Sequence, residues 1–198
     1  MNRITAYIRH SLQEIYPPEE IKALSMLICC DMLGLDALDI YMGKDIILSE
    51  CKQRELENII FRLQKNEPIQ YIRGFAEFCG RNFKVASGVL IPRPETAELV
   101  ELIVKENPNA RRLLDIGTGS GCIAISLDKK LPDVAVEAWD ISEEALSIAC
   151  KNNENLEAGV RFLQRDVLSD DWEKVPSFDV IVSNPPYVTE TEKNEMDA

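Results

Sequence analysis

The sequence predicts an α/β protein in three parts: a small helical bundle, a β-hairpin linker and a doubly wound domain built on a parallel sheet. Three observations predict it. Apolar residues recur at helical spacing through residues 1–75. Short apolar runs broken by glycine and serine occupy residues 76–91. From residue 111 strand-like and helix-like patterns alternate, and repeated β-α-β units of this kind assemble parallel sheets.

Ile4, Ile8, Leu12 and Ile15 share one face of a first helix. Ile21, Leu24, Leu27, Ile28 and Met32 form a second stripe after Pro17-Pro18, a pair suited to a helix start, and Gly34 can end it. Leu56, Ile59, Ile60 and Leu63 form a third, with Ser49 placed to cap it. Short loops between such helices imply an antiparallel bundle, whose expected use is to bind a partner or substrate. Phe78, Phe83, Val85, Val89, Leu90 and Ile91, interrupted at Gly80-Arg81-Asn82 and Ser87-Gly88, read as a hairpin. Pro92-Arg93-Pro94 stops it, and residues 95–106 fit an amphipathic helix with Leu99, Val100, Leu102 and Ile103 inward. Strands are expected at 113–116, 134–139, 160–164 and 178–183, with helices at 122–130 and 143–154. The expected domains are therefore 1–75, a 76–91 linker and 92–198.

At 198 residues, 45% hydrophobic and 28% charged, the chain has the composition of a soluble globular protein. No run approaches the apolar length of a membrane span, and the N-terminus does not resemble a signal peptide. Cysteines at 29, 30, 51, 79, 122 and 150 show no CxxC spacing, and His10 is the only histidine. The expectation is no metal site and reduced thiols in a cytoplasmic protein. The net charge of −12 is uneven: residues 1–75 carry 9 basic and 11 acidic side chains, residues 76–198 carry 13 and 23. Duplex binding draws on phosphate neutralisation, so a nucleic-acid substrate is disfavoured.

Asp115-Ile116-Gly117-Thr118-Gly119-Ser120-Gly121 places glycines between a strand and a helix, where the backbone can turn tightly and meet a ligand closely. The spacing is GxGxG, not the GxGxxG that seats a pyrophosphate on a helix N-terminus, and it suits a nucleoside cofactor without phosphate. A ligand-free turn and a nicotinamide site are the alternatives. Asp140, at a strand end, can accept hydrogen bonds from both ribose hydroxyls; its bland alternative is the N-cap of the next helix, a role for which Ser142 competes. Asp166 is placed to meet an adenine amino group with Val167 against the ring; a solvated loop carboxylate is its bland alternative.

Asn184-Pro185-Pro186-Tyr187 follows the apolar run Val180-Ile181-Val182. The Asn184 side-chain oxygen and the Pro185 carbonyl are two acceptors for the two N–H bonds of a planar nitrogen. Gripping both would orient a weakly nucleophilic lone pair toward an electrophilic methyl, which is catalysis by positioning. The prolines stiffen the carbonyl, and Tyr187 offers a stacking wall. A proline-punctuated turn is the structural alternative.

Together these residues resemble class I S-adenosylmethionine-dependent methyltransferases acting on nitrogen. Upstream, Pro68-Ile69-Gln70-Tyr71-Ile72-Arg73-Gly74 and Val89-Leu90-Ile91-Pro92-Arg93-Pro94-Glu95-Thr96 are similar to the peptide chain release factor glutamine methyltransferases (PrmC, also called HemK). The resemblance runs from about residue 5 to 193. One departure is Ala97, where that family usually carries Glu; Glu98 stands next to it. The resemblance implies a Rossmann-like catalytic domain after the bundle and hairpin, and methylation of the glutamine in the Gly-Gly-Gln motif of bacterial class 1 release factors. It implies S-adenosylmethionine contacts at residues 117–121, Asp140 and Val167, and a glutamine held by Asn184, Pro185, Pro186 and Tyr187.

Two other readings compete with that one: N6-adenine methylation of DNA or RNA, which the acidic charge of residues 76–198 argues against, and a cofactor- or partner-binding module without turnover. Only four central strands precede residue 198, fewer than such methyltransferases usually have, so the expectation is a domain incomplete at its C-terminus. The last strand would then be an apolar edge.

Overall fold

A computed structural model describes residues 2–169, 172, 175 and 176–185, in two compact units that divide between Arg73 and Gly74.

The first unit is helical. Helix α1 (Arg3–Leu12) starts where Asn2 Oδ1 accepts the Thr5 N–H at 2.8 Å, and it buries Ile4, Ile8 and Leu12. Ile15, expected on the same face, lies beyond the helix end and is partly exposed, because Pro17 and Pro18 forbid another turn. Helix α2 (Pro18–Met26) opens on Pro18 and continues as a π-helical turn, Leu27–Met32, so the second apolar stripe spans two helical geometries. Helix α3 (Ala37–Tyr41) follows. Helix α4 (Glu50–Gln64) is capped by Ser49 Oγ, which accepts the Lys52 N–H, and it buries Leu56, Ile59, Ile60 and Leu63. Helix α5 (Ile69–Arg73) closes the unit. The five-residue helices α3 and α5 are too short to carry a readable period.

The second unit begins with the hairpin β1 (Phe75–Phe78) and β2 (Arg81–Lys84). Cys79 (φ 47°) and Gly80 (φ 71°) form the two-residue turn, whose left-handed residues match the twist of paired strands. Strand β2 ends at Lys84, one further bond runs from the Val85 N–H to the Gly74 carbonyl at 3.0 Å, and Val89 is buried from an irregular segment and not from a longer strand. Helix α6 (Pro94–Glu106) buries Thr96, Val100 and Ile103; Leu102, expected inward, is half-exposed.

Strands β3 (Arg112–Ile116), β4 (Ala135–Asp140), β5 (Arg161–Gln164) and β6 (Val180–Ser183) form a wholly parallel sheet in the order β5-β4-β3-β6. Helix α7 (Cys122–Lys130) follows β3, and helix α8 (Glu143–Asn155) follows β4. These bounds fall within two residues of those the sequence predicts. One sheet face, with Leu113, Val136, Ala138 and Val182, packs into a core with Phe78, Phe83, Val100 and the inner side of α7. On the opposite face Trp139 meets Trp172 at 5.4 Å and Phe178 at 6.4 Å, with the Arg165 guanidinium 4.6 Å from its ring. Among the described residues β6 is a sheet edge, and its Ile181 is 54% exposed.

Chain direction fixes where a ligand can sit. From β3 the chain moves outward to β4 and β5, then returns across β3 to β6. Open parallel sheets bind ligands outside the strand carboxyl ends at such a switch point.

Asn152 of α8 fastens that region. Its Oδ1 accepts the Lys84 N–H at 2.7 Å, and its Nδ2 donates to the carbonyls of Lys84 (3.0 Å) and Ser120 (2.8 Å). One fully buried amide thus ties the hairpin to the glycine loop. Asn152→Ala should cost at least about 2 kcal/mol, because it strands buried backbone groups. Urea denaturation measures the loss.

Candidate functional site

All four strand ends carry a residue singled out in the sequence. The glycine loop follows β3, Asp140 ends β4, Asp166 and Val167 follow β5, and Asn184 and Pro185 follow β6. The sheet therefore brings them to one edge of the unit. Pro186 and Tyr187 lie outside the described residues.

The loop is pinned from below. The Trp139 carbonyl accepts two N–H bonds, from Gly117 at 2.8 Å and Thr118 at 3.0 Å. Asp140 Oδ2 accepts the Gly119 N–H at 2.8 Å, while its Oδ1 accepts the Ser142 N–H at 3.0 Å. Ser142 Oγ caps α8 by accepting from Ala145. Asp140 is therefore not that cap. Each of its oxygens uses one backbone donor and keeps acceptor capacity for another.

The three loop glycines do different work. A Cβ on Gly121 (φ 78°) would stand 3.1 Å from Ile125 Cδ1 and 3.2 Å from both Ala149 Cβ and Phe162 Cζ. Gly121 is a packing requirement of α7. Gly117 is exposed, and a Cβ there would meet nothing within 4 Å, so its backbone faces open space that a ligand can enter. Gly119 lies between these cases, with its N–H committed to Asp140. The Thr118 and Ser120 side chains are buried; Thr118 Oγ1 donates to Asp115 Oδ2 at 2.6 Å.

Asp115 was part of the sequence motif but had no assigned role. It is almost fully buried, and burial pushes its carboxyl up to about 6; the bond from Thr118 and the Ala124 N–H oppose this, while nearby Asp140 adds to it. Beyond β5, Asp166 Oδ1 accepts the Leu168 N–H at 3.0 Å, and the Val167 carbonyl accepts from Trp172 Nε1 at 3.1 Å. Both side chains are partly exposed at the sheet edge.

At the end of β6, Ser183 Oγ donates to the Ile116 carbonyl at 2.9 Å, locking this strand end to β3 beside the loop. Asn184 Nδ2 donates to Thr96 Oγ1 at 3.1 Å. Sequence reasoning did not assign Thr96 a role. The Pro-Arg-Pro segment before it was the available signal, but a partner 88 positions away carries no pattern. Ala97 packs against the core, and Glu98 is exposed.

Two family models match the chain: the PrmC N-terminal domain over residues 4–74 and the methyltransferase small domain over residues 94–197. The release factor glutamine methyltransferase of Bacteroides thetaiotaomicron is 83% identical over 198 residues, covering the whole chain and 71% of that relative. The enzyme of that name from Flavobacterium psychrophilum is 41% identical over 191 residues, 94% of this chain and 67% of its own length. A solved Pyrococcus abyssi tRNA (uracil-54, C5)-methyltransferase with S-adenosyl-L-homocysteine aligns with a TM-score of 0.47 at 21% identity, over 57% of this chain and 28% of that one. The parallel sheet, its switch-point loop and the matched catalytic-domain model define the class, a methyltransferase. Within that class, the chain belongs to the release factor glutamine methyltransferase family.

The buried acid gives a pH test. Because the Asp115 carboxyl titrates near 6 when folded against 3.8 as its ordinary value, folding favours its protonated form. Its contribution to stability is fullest below pH 4 and is lost as pH rises through 6. Asp115→Asn should therefore gain stability relative to the parent chain between pH 4 and 6.5, on the order of 2 kcal/mol. Urea melts of both proteins across that range check it; a constant difference would refute it.

Proposed function

We propose that the chain methylates the side-chain nitrogen of the glutamine in the Gly-Gly-Gln motif of bacterial release factors, with S-adenosylmethionine as methyl donor. The observation that carries this is the juxtaposition of Asn184, at the end of β6, with the glycine loop at the end of the neighbouring strand β3. The open backbone at Gly117 and the unsaturated carboxylate of Asp140 fit a nucleoside cofactor that has no phosphate. When bound, S-adenosylmethionine supplies a methyl group on a positively charged sulfur.

In this reading the backbone of Gly117, Thr118, Gly119, Ser120 and Gly121 shapes the cofactor cleft, and Asp140 accepts from the ribose hydroxyls. Asp166 meets the adenine amino group, with Val167 against the ring. Asn184 Oδ1 and the Pro185 carbonyl accept the two carboxamide N–H bonds. They favour the rotamer of the amide in which its lone pair points at the methyl, and they stabilise positive charge as it develops on nitrogen. Pro186 stiffens this grip and Tyr187 walls it. No base is required beforehand, since the extra proton becomes acidic only after nitrogen is alkylated.

The helical unit is the proposed binder of the release factor. The six free cysteines accord with a cytoplasmic location. An exocyclic adenine amine also offers two N–H groups, but a base substrate must be extruded and its phosphates met. The excess of 23 acidic over 13 basic side chains in residues 76–198 opposes that.

Incubation with labelled S-adenosylmethionine and either a release factor or DNA tests the proposal. Label is expected on the release factor glutamine, and label on DNA alone would overturn the reading. Asn184→Ala should lower turnover about a hundredfold, because one of two charge-stabilising acceptors is lost. Its cofactor affinity, measured by calorimetry, should stay near that of the parent. Asp140→Ala should do the reverse in the binding assay, weakening the cofactor roughly tenfold or more through lost charged hydrogen bonds.

A further inference from the structure

We infer that Thr96 is a positioning residue that holds the Asn184 side chain in place at the end of β6; this rests on the glutamine-methylation reading above. A side-chain amide is nearly symmetric in shape, so rotation by half a turn exchanges an acceptor for a pair of donors. A substrate N–H needs the acceptor. With Nδ2 turned away, donating to Thr96 Oγ1 at 3.1 Å, Oδ1 occupies the opposite edge of the group.

Thr96 is suited to this task by its place in the fold. It is only 8% exposed and sits in the first turn of α6, where its own N–H donates to the Arg93 carbonyl at 3.0 Å. Its β-branched side chain has few rotamers in a helix. The preceding Pro94 at the first helical position and the extended Arg93 fix where that turn begins. A hydroxyl whose position is set by backbone and packing thus reaches across 88 residues to one end of the amide. This gives the Pro-Arg-Pro segment a function at a distance: it sets the register of the turn that presents Thr96.

Thr96→Val keeps the shape and removes the hydroxyl, while Thr96→Ser keeps the hydroxyl. The Asn184 side-chain amide signals in a ¹H-¹⁵N spectrum, assigned by their loss in Asn184→Asp, report the bond directly. In Thr96→Val those signals should move and exchange faster with water, whereas Thr96→Ser should return them toward the parent positions. With a release factor as substrate, Thr96→Val should lose roughly five- to tenfold in kcat with the KM for S-adenosylmethionine unchanged, and Thr96→Ser should recover most of it. Unperturbed Asn184 signals in Thr96→Val would overturn the inference whatever the activity. A parent chain that labels no release factor would instead overturn the function proposed above, with the spectra still deciding the role of Thr96. Loss of kcat that Thr96→Ser does not restore would count against the hydroxyl.

Discussion

The second unit is organised around the absence of a side chain at residue 121. Gly121 adopts a left-handed backbone at the start of α7, and a Cβ there would press against α7, α8 and β5 at 3.1–3.2 Å. Those three contacts mean that the start of α7 packs closely against its neighbours, with little room for a side chain. Everything ahead of Gly121 is then drawn down onto the sheet. The Trp139 carbonyl collects the N–H groups of Gly117 and Thr118, and Asp140, the next residue, collects that of Gly119. A loop held by the strand beside it presents its outer backbone at a fixed height.

Local grammar in the sequence predicted much of this, because local grammar is what neighbouring residues can encode. Ser49 and Ser142 cap the helices they precede through their own side chains, and Pro18 and Pro94 open theirs. The strands of the parallel sheet are short apolar runs between turn residues, so the α/β class was readable. What escaped was of two kinds. Structures of a single turn, such as α3 and α5, have no period to detect. Contacts across long separations, such as Asn152 with Lys84 and Ser120 or Asn184 with Thr96, depend on which surfaces the fold brings together. Ile15 and Leu102 show the converse error: each continued an apolar stripe on paper, but one stands past a proline-limited helix end and the other on the half-exposed side of α6.

The same distinction separates the glycines. From the sequence the three looked equivalent, as members of one ligand-binding motif. In the structure Gly121 is explained by its left-handed backbone and by packing, and Ser120 and Thr118 turn their side chains inward. In the proposed reading, the ligand-facing share of the motif is thereby reduced to backbone at Gly117 and Gly119, together with the carboxylate of Asp140. A substitution that harms the loop need not have touched the ligand.

Charge then argues for the kind of ligand that this edge accepts. Asp140 stands at the rim and raises the cost of a negative charge on Asp115, which is buried beneath the loop. A pyrophosphate brought to such a rim would meet carboxylates, and the loop N–H groups that seat phosphates elsewhere are already spent on Trp139 and Asp140. A cation gains where an anion loses. The sulfonium of the proposed cofactor carries one positive charge before methyl transfer and none after it, so the same carboxylates that attract the donor hold its spent form less tightly. Attraction that weakens on reaction favours release of the product, while the pyrophosphate of a nicotinamide dinucleotide is what this rim opposes.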